Sequence, residues 1–546
     1  MSVWPQPDRP GIVQGPGAVR GYLVPLVFCG ILSTYIFLAT AISIIFPAFL
    51  LLAIAPVLPL LMLAASDMKP VPLRFTRRLV YLGALLMPLW PVYLHVKLGP
   101  LPIITPTRVL FYSIIAIWLY EMACVPRRRV QFVSAMRRVW PLFLVIALLF
   151  AHKFLTVPLA MGKGIAAKEF IRQSMIWLLP FLAVMTYVQR RQVFDRALSL
   201  IIFSSTVVAL IALVEFVTQT HFAEVIAPLM GDVEWLRQVL QDKVRDGVFR
   251  SQATHTHPLS LGEHLAMIIP FAMYKIYRGG NFGRRLFYGG VLIILVSAVL
   301  MSNSRGALIG GMMAFSVTAF LMLTTWLRKP ESLPFRPLAG MAIALAILAS
   351  PIVIGAGYKV VVGDDGTTAS ASSQARIAQM ETAWPKIIKR PLYGYGNGRA
   401  ARVLGFYGGR LTIDNYYLNL ALELGFPGPI LFFGSFAMLA WYGWRWGTDL
   451  GDDPYAGLYI AVAGMAISFA VTRSILSITT NIELFMLLAA LMIGTCGRTK
   501  YLLALNRKDN IPTEVGDFAP VLTAKQFEQH RERVLSGKSL WTPVAR

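Results

Sequence analysis

The sequence predicts an all-α, polytopic membrane protein, and three observations lead to this fold class. The chain has 546 residues, of which 56% are hydrophobic and only 14% charged, and its mean hydropathy is +0.62, values outside the range of soluble proteins. Its apolar stretches run for about 20 residues, the length of a helix that crosses a bilayer. They lack the two-residue alternation of membrane β-barrel strands, so helices must satisfy the backbone polar groups.

Apolar stretches along the chain predict about 12–14 transmembrane helices. The division of residues 21–66 near Pro47 is weakly marked, and the stretch 139–152 is short for a full span. The predicted helices lie near 22–42, 47–65, 79–95, 108–125, 139–152, 174–189, 197–217, 258–276, 287–302, 306–327, 337–357, 415–443, 455–472 and 482–497.

Positive charge gives the orientation of these helices. Lys and Arg are dense in the short segments Lys69–Arg78 and Arg127–Arg138, and such segments stay on the cytoplasmic side. We therefore expect both termini to be cytoplasmic, the first as a retained tail and the second as a basic tail suited to anionic lipid. The net charge of +24 follows from this orientation, so we expect no nucleic-acid partner.

The orientation divides the chain into alternating membrane and outer segments. Outer loops are expected near 153–173 and 218–257, and residues 358–414 form the largest one, a partly helical periplasmic loop with a net charge of +4. An anionic partner or a solvated surface would account for that charge. The predicted order is a cytoplasmic tail at 1–20, transmembrane helices with their loops over 21–357, the periplasmic loop at 358–414, transmembrane helices over 415–499 and a cytoplasmic tail at 500–546.

The stretch MSNSRGALIG at 301–310 places Arg305 at the outer edge of a predicted helix hairpin. A guanidinium near hydrocarbon is costly unless it faces water, a partner or a substrate, so Arg305 either extends to the interface or binds an anionic group. The glycines that follow suit close helix packing better than chemistry.

The large loop contains ARIAQMETAWPKIIKRPLYGYGNGRA and ends in LTIDNYYLNLALELGFPG. Its glycines predict an irregular turn that lets a backbone approach a ligand. Asp414 precedes an apolar helix and is either an N-cap or a general base, and Glu423 lies farther along the same helix, before a break at Gly425–Gly428.

The stretch RSQATHTHPLSLGEHL holds Arg250 and three histidines immediately before a predicted helix. A metal site is one interpretation, although a firm third ligand is lacking. Hydrogen bonding to a sugar and helix capping are the others, and we expect no bound metal.

At these residues the sequence resembles the O-antigen ligase and Wzy-type polysaccharide polymerase superfamily of bacterial membrane glycosyltransferases. The resemblance covers about 250–435 and depends on the order of SRG at Ser304–Gly306, then Arg376, Trp384 and PLYGYGNG, then DNYYLNLALELGFPG. It implies a GT-C-like architecture and a sugar donor linked to undecaprenyl pyrophosphate. It also implies transfer at the outer face without a metal ion or nucleotide, so no cofactor is expected.

The resemblance also implies roles for individual residues. Arg305 and Arg376 match arginines that engage the pyrophosphate in the family, a task suited to the planar guanidinium. With Asp414 they are the candidate catalytic residues. Further candidates for binding the pyrophosphate or the rest of the substrate are Arg250, His255, His257, Arg390, Arg399, Asn415 and Glu423.

One departure from the family bears on the reaction. Asp414 stands where ligases of the family carry His before the Asn. A carboxylate can accept the proton of an attacking sugar hydroxyl, so inverting transfer remains possible. This favours a polymerase that joins exopolysaccharide or O-antigen repeat units. The alternatives are a ligase acting on a lipid or protein acceptor, a peptidoglycan-type polymerase, and a transporter or flippase for lipid-linked sugars.

These interpretations together predict a location and a set of partners. The chain is expected to cross the bacterial inner membrane several times, with its active site facing the periplasm. Its expected partners are the undecaprenyl-pyrophosphate-linked glycan donor and acceptor, the bilayer, and a chain-length regulator and a flippase of the same pathway.

Overall fold

The computed structural model describes most of the central part of the chain. The described residues are 69–91, 93–96, 104–226, 240, 244–245, 247–328, 330–337, 368–405, 413–451 and 453–495. The predicted helices near 22–42 and 47–65, nearly all of 337–357, and both predicted tails lie outside these residues.

The described residues form helices almost throughout, apart from a hairpin of two-residue strands. The strands β1 (Val244–Arg245) and β2 (Val248–Phe249) pair antiparallel. Numbered in chain order, the helices are α1 (Leu73–Leu89), α2 (Pro106–Cys124), α3 (Pro126–Arg138), α4 (Trp140–Thr156), α5 (Lys163–Gln173), α6 (Leu179–Tyr187), α7 (Arg191–Thr218), α8 (Phe222–Val225), α9 (Pro258–Arg278), α10 (Phe282–Met301), α11 (Arg305–Leu327), α12 (Thr368–Lys389), α13 (Ala400–Leu404), α14 (Tyr416–Leu424), α15 (Pro427–Asp449), α16 (Ala456–Arg473) and α17 (Ile482–Gly494).

Several of these helices are long and apolar enough to cross a membrane. Among the described residues there are six such segments, or up to seven if α3 and α4, which meet at 98°, form one span. They are Pro106–Cys124, Lys163–Tyr187, Arg191–Thr218, Phe282–Met301, Arg305–Leu327 and Ala456–Arg473. The predicted all-α, polytopic membrane fold class is thereby confirmed.

The span at Lys163–Tyr187 begins earlier than the helix predicted near 174–189. α5 continues through a π-helical turn at Ser174–Leu178 into α6. The polar residues of α5 form hydrogen bonds with one another. Nε of Arg172 donates to Glu169 at 2.8 Å, and Gln173 donates to the same carboxylate at 2.8 Å. This mutual pairing lets a polar segment continue an apolar helix.

Small residues bring the central helices close together. α9 packs against α10, α11 and α16, and α15 packs along α16. A Cβ built on Gly443 of α15 would lie 2.6 Å from the carbonyl oxygen of Tyr459 in α16, so only glycine fits there. α10 ends and α11 begins at one end of this bundle, which we call the Arg305 end.

The described residues between α12 and α15 include a break in the helical structure. α14 is short and stops at Gly425, which has a φ of +71°, so the predicted break between α14 and α15 is present. A Cβ on Gly425 would lie 2.3 Å from the carbonyl oxygen of Pro391, and the N–H of Phe426 donates to the same oxygen at 2.7 Å. The break therefore seats the PLYGYGNG turn, residues 391–398, against the start of α15.

Candidate functional site

The SNSRG stretch forms the corner between α10 and α11. Asn303 has a φ of +45°, a left-handed conformation that Asn tolerates better than most residues. Ser304 is the N-cap of α11, and its hydroxyl accepts a hydrogen bond from the N–H of Ala307 at 3.3 Å. Arg305 is therefore the first residue of α11, and it is partly exposed.

The glycines that follow Arg305 pack against α16 and the turn after it. A Cβ on Gly306 would lie 3.0 Å from Ile475, and a Cβ on Gly310 would lie 2.4 Å from Thr472. These positions hold the start of α11 close to its neighbour, as expected for small residues between membrane helices.

Arg250 is brought to the same corner. Its Nε donates to the carbonyl oxygen of Ser302 at 3.3 Å, and the side chain is 4% exposed. The N–H of the next residue, Ser251, donates to the carbonyl oxygen of Met301 at 3.1 Å. The segment before α9 is thus bonded directly to the corner that carries Arg305.

The histidines of this segment take different positions. His257 is the N-cap of α9, and its Nδ1 accepts from the N–H of Leu259 at 3.0 Å. His255 is buried with its ring stacked on His264, the centroids 5.0 Å apart, and burial lowers the pKa of His255 to about 4. Within the described part of the chain, no group of three His, Cys, Asp or Glu residues could hold a metal ion.

Asp414 lies beside the helix that carries Arg376. The N–H of Asp414 donates to Oε1 of Gln379 at 3.0 Å, and Nε2 of Gln379 donates back to Oδ2 of Asp414 at 3.4 Å. Arg376 is three residues before Gln379 in α12, a spacing that places both on one side of the helix. Two of the three candidate catalytic residues therefore share this neighbourhood.

The interpretation of Asp414 as the N-cap of the following helix is wrong, because the cap is Asn415. Oδ1 of Asn415 accepts from the N–H groups of Tyr417 and Leu418 at 2.9 and 3.1 Å. Asn is also among the residues preferred at helix N-caps. Asn415, predicted to bind substrate, has its side-chain oxygen engaged at the helix end, while the carboxylate of Asp414 faces Gln379.

The PLYGYGNG turn approaches the protein's own backbone, whereas its glycines were predicted to admit a ligand. The N–H of Gly396 donates to the carbonyl oxygen of Glu423 at 2.9 Å. Gly394 has a φ of +58°, and a Cβ there would lie 2.5 Å from the carbonyl carbon of Glu423. These glycines therefore serve close packing of the turn on the end of α14.

Glu423 lies beneath this turn and is 6% exposed. One carboxylate oxygen accepts from the N–H of Gly398 at 2.8 Å. Burial raises the pKa of Glu423 to about 7, and the nearby Lys153 ammonium opposes this shift. Lys153 itself donates to Gln173, so Glu423 belongs to a buried polar cluster with α4 and α5.

Arg390 and Arg399 lie on the PLYGYGNG side of the site. The guanidinium of Arg390 is 4.9 Å from the ring centroid of Tyr395. That of Arg399 lies 3.2 Å from the position of a Cβ built on Gly162. Arg390 therefore packs against the PLYGYGNG turn, and Arg399 packs against the loop before α5.

One short turn links the two halves of the site. Ile475 packs against Gly306, beside Arg305, and the hydroxyl of Ser477 donates to the carbonyl oxygen of Ile413, beside Asp414. The start of α11 and the Ile413–Asp414 segment thus flank the same turn, residues 474–478.

Two buried basic residues of this region, Lys153 and Arg473, were not among the residues predicted from the sequence. Lys153 is 1% exposed and Arg473 is fully buried. Each stands at the end of an apolar run, which is the signal that drew attention to Arg305. That signal could have identified both of them.

Comparison with known families concerns the second half of the chain. Residues 290–433 match the model of the Wzy_C family, described as O-antigen ligase. The matched segment includes Arg305, Arg376, Asp414 and Glu423, so the predicted resemblance to the O-antigen ligase and Wzy-type superfamily is confirmed there. The match begins after Arg250 and the histidine segment. A search of curated proteins gave no match.

Proposed function

We propose that this chain, whose residues 290–433 carry the O-antigen ligase family match, is a polymerase that joins undecaprenyl-pyrophosphate-linked oligosaccharide repeat units. The observation that carries the proposal is the position of Asp414. Gln379 holds it beside the helix of Arg376, and a single turn separates its segment from the start of α11 at Arg305. This arrangement supplies a carboxylate and two guanidinium groups in one region of the Arg305 end.

The two arginines would engage the pyrophosphate of the donor. A guanidinium presents parallel donors that match phosphate oxygens. As the bond between the anomeric carbon and the pyrophosphate breaks, negative charge grows on the leaving group, and positioned cations stabilise that charge. Arg305 and Arg376 would therefore lower the barrier to donor cleavage.

Asp414 would act as the general base. Its carboxylate accepts the proton of a hydroxyl on the acceptor sugar, and the oxygen of that hydroxyl attacks the anomeric carbon from the face opposite the pyrophosphate. One displacement of this kind inverts the anomeric configuration, and the protein supplies only proton transfer and charge stabilisation. The assignment of the cap to Asn415 supports this role.

The proposed setting is the outer face of the bacterial inner membrane, with both termini cytoplasmic. Arg250, Arg305 and Asp414 lie at one end of the helix bundle, as expected of a site open to one compartment. Repeat units would arrive there from a flippase and leave as polymer under a chain-length regulator.

A ligase is the second candidate, and the family description favours it. It would transfer a finished glycan once to a lipid or protein acceptor. The carboxylate at Asp414, where family ligases carry His, favours the polymerase.

The nature of the product separates these functions. Purified protein in lipid vesicles would receive undecaprenyl-pyrophosphate-linked repeat units alone, then with a candidate lipid acceptor. A ladder of lengths from repeat units alone supports the polymerase, and a single addition that requires the acceptor supports the ligase. Movement of the donor across the bilayer without a new glycosidic bond would support transport and contradict both.

A further inference from the structure

The Arg305 end contains a fully buried ion pair that the proposed mechanism does not use. Arg473, the last residue of α16, donates through one terminal nitrogen to the carboxylate of Glu263 in α9. Arg473 is 0% exposed and Glu263 is 1% exposed. Buried ion pairs contribute little net stability, because the cost of desolvating the two charges offsets their attraction. The segments that this pair holds in place therefore indicate its role.

The carboxylate of Glu263 collects several hydrogen bonds from α16 and the start of α17. It accepts from Oγ1 of Thr472 at 2.8 Å and from Nδ2 of Asn481 at 2.8 Å, in addition to Arg473. Asn481 also donates to the carbonyl oxygen of Ser260 at 2.8 Å. The two ends of the 473–481 connection are therefore both anchored on α9.

Arg473 also fixes the connection from within. Its second terminal nitrogen donates to the carbonyl oxygen of Ile478, closing the turn 474–478. Lysine lacks this geometry, since its donors share a single nitrogen, whereas the rigid guanidinium fork places a separate nitrogen on each partner.

The turn held in this way contacts both halves of the proposed site. Ile475 packs on Gly306, next to Arg305, and Ser477 donates to Ile413, next to Asp414. On another side, the Arg473 guanidinium lies 5.6 Å from the ring centroid of Tyr416 at the start of α14. A movement of the turn would therefore shift both segments relative to each other.

We propose that Arg473 and Glu263 are positioning residues for the proposed glycosyl transfer, which set the separation between the start of α11 at Arg305 and the Ile413–Asp414 segment. The inference rests on the proposed function. It assigns to the pair an effect on turnover, because a base displaced by about 1 Å from its proton can cost about 10²-fold in rate. Donor affinity depends on the arginines and is not expected to change.

The test variant is Arg473→Lys, which keeps the charge beside Glu263 and releases the turn. A matched control exists at the opposite end of α16, where Arg191 pairs with Asp453 at 2.6 Å and lies 4.7 Å from the ring of Tyr455. Arg191→Lys makes the same chemical change in a similarly buried pair, away from the Arg305 end.

Steady-state transfer and hydrogen exchange would be measured on wild type and both variants in lipid. For Arg473→Lys we expect kcat to fall about 10–100-fold with donor KM within about twofold, and faster amide exchange at Ile475 and Leu476. Arg191→Lys should change neither. An unchanged kcat, unchanged exchange, or equal losses from both variants would overturn the proposal.

A second variant covers the case in which Arg473→Lys fails to fold. Ser477→Ala removes only the hydrogen bond to Ile413 and leaves the ion pair intact. A lower kcat with unchanged KM would support the proposal, and wild-type kcat would overturn it. Failure of wild type to transfer any lipid-linked donor would instead contradict the proposed function, and the exchange data would still test the turn.

Discussion

Replacing Arg305 by Ala separates the proposed anion-binding role of this residue from a structural role. Arg305 is the first residue of α11 and is partly exposed, the cap is made by Ser304, and the packing is made by Gly306 and Gly310. Neither this cap nor this packing uses the Arg305 side chain. The variant should therefore fold and insert as the wild type does.

The expected effect on transfer is large. Two hydrogen bonds from a guanidinium to a charged phosphate contribute about 1.5–3 kcal/mol each. Their loss lowers kcat/KM by about 10²–10⁴-fold, since each factor of ten corresponds to about 1.4 kcal/mol. Arg305→Lys should recover little of this, because Lys cannot present two parallel donors.

The assay is transfer from a lipid-linked donor by purified protein, with thermal unfolding measured on the same sample. Arg284→Ala is the matched control, because Arg284 also lies in the first turn of a helix, α10, and is exposed. Near-wild-type transfer by folded Arg305→Ala, or equal losses in both variants, would refute the anion-binding role.

Three further predictions concern stability. Gly310→Val should destabilise the fold by more than about 1 kcal/mol through overpacking, whereas Gly290→Ala, where no atom lies within 4 Å of the added Cβ, should not, as thermal unfolding would show. Asn415→Ala should cost about 0.5–2 kcal/mol through loss of the cap, and an unchanged melting temperature would contradict that assignment. Burial raises the pKa of Glu423 from 4.5 to about 7. Its protonated form therefore stabilises the folded state fully below about pH 4.5, and this contribution is lost as the pH rises through 7. The melting temperature of wild type should fall over that pH range by more than that of Glu423→Gln.

Patterns within one stretch of chain were sufficient to predict several features. The apolar runs predicted the six described segments that are long and apolar enough to cross a membrane, and the position of Arg305 between two apolar runs predicted the helix corner. The glycine and proline after α14 predicted the break at Gly425. Each of these depends on local hydrophobicity or backbone geometry, which the sequence shows directly.

Features that depend on distant partners were missed or misplaced. The early start of α5 at Lys163 was missed for a local reason, because a hydrophobicity pattern does not register that Arg172 and Gln173 pair with Glu169. The glycines of 391–398 were assigned to a ligand because nothing local shows that Glu423 approaches them. The pair of Glu263 and Arg473 joins residues 210 positions apart, beyond the reach of any local pattern.

The sequence does not show which of two adjacent residues caps α14. Asp414 and Asn415 are adjacent, and both are favoured N-cap residues, so sequence alone cannot choose between them. The hydrogen bonds to Tyr417 and Leu418 make that choice.

If Asp414 is the base of a glycosyl transfer, as proposed, the transfer rate depends on its carboxylate, and a comparison of Asp414→Asn with wild type tests this dependence. Asp449→Asn is the control, because it makes the same change at the far end of α15 from Gly425, about 33 Å along the helix. We expect Asp414→Asn to bind donor but to lose at least about 10²-fold in transfer rate, and Asp449→Asn to keep the wild-type rate. Transfer by Asp414→Asn at the wild-type rate would show that Asp414 is not the base.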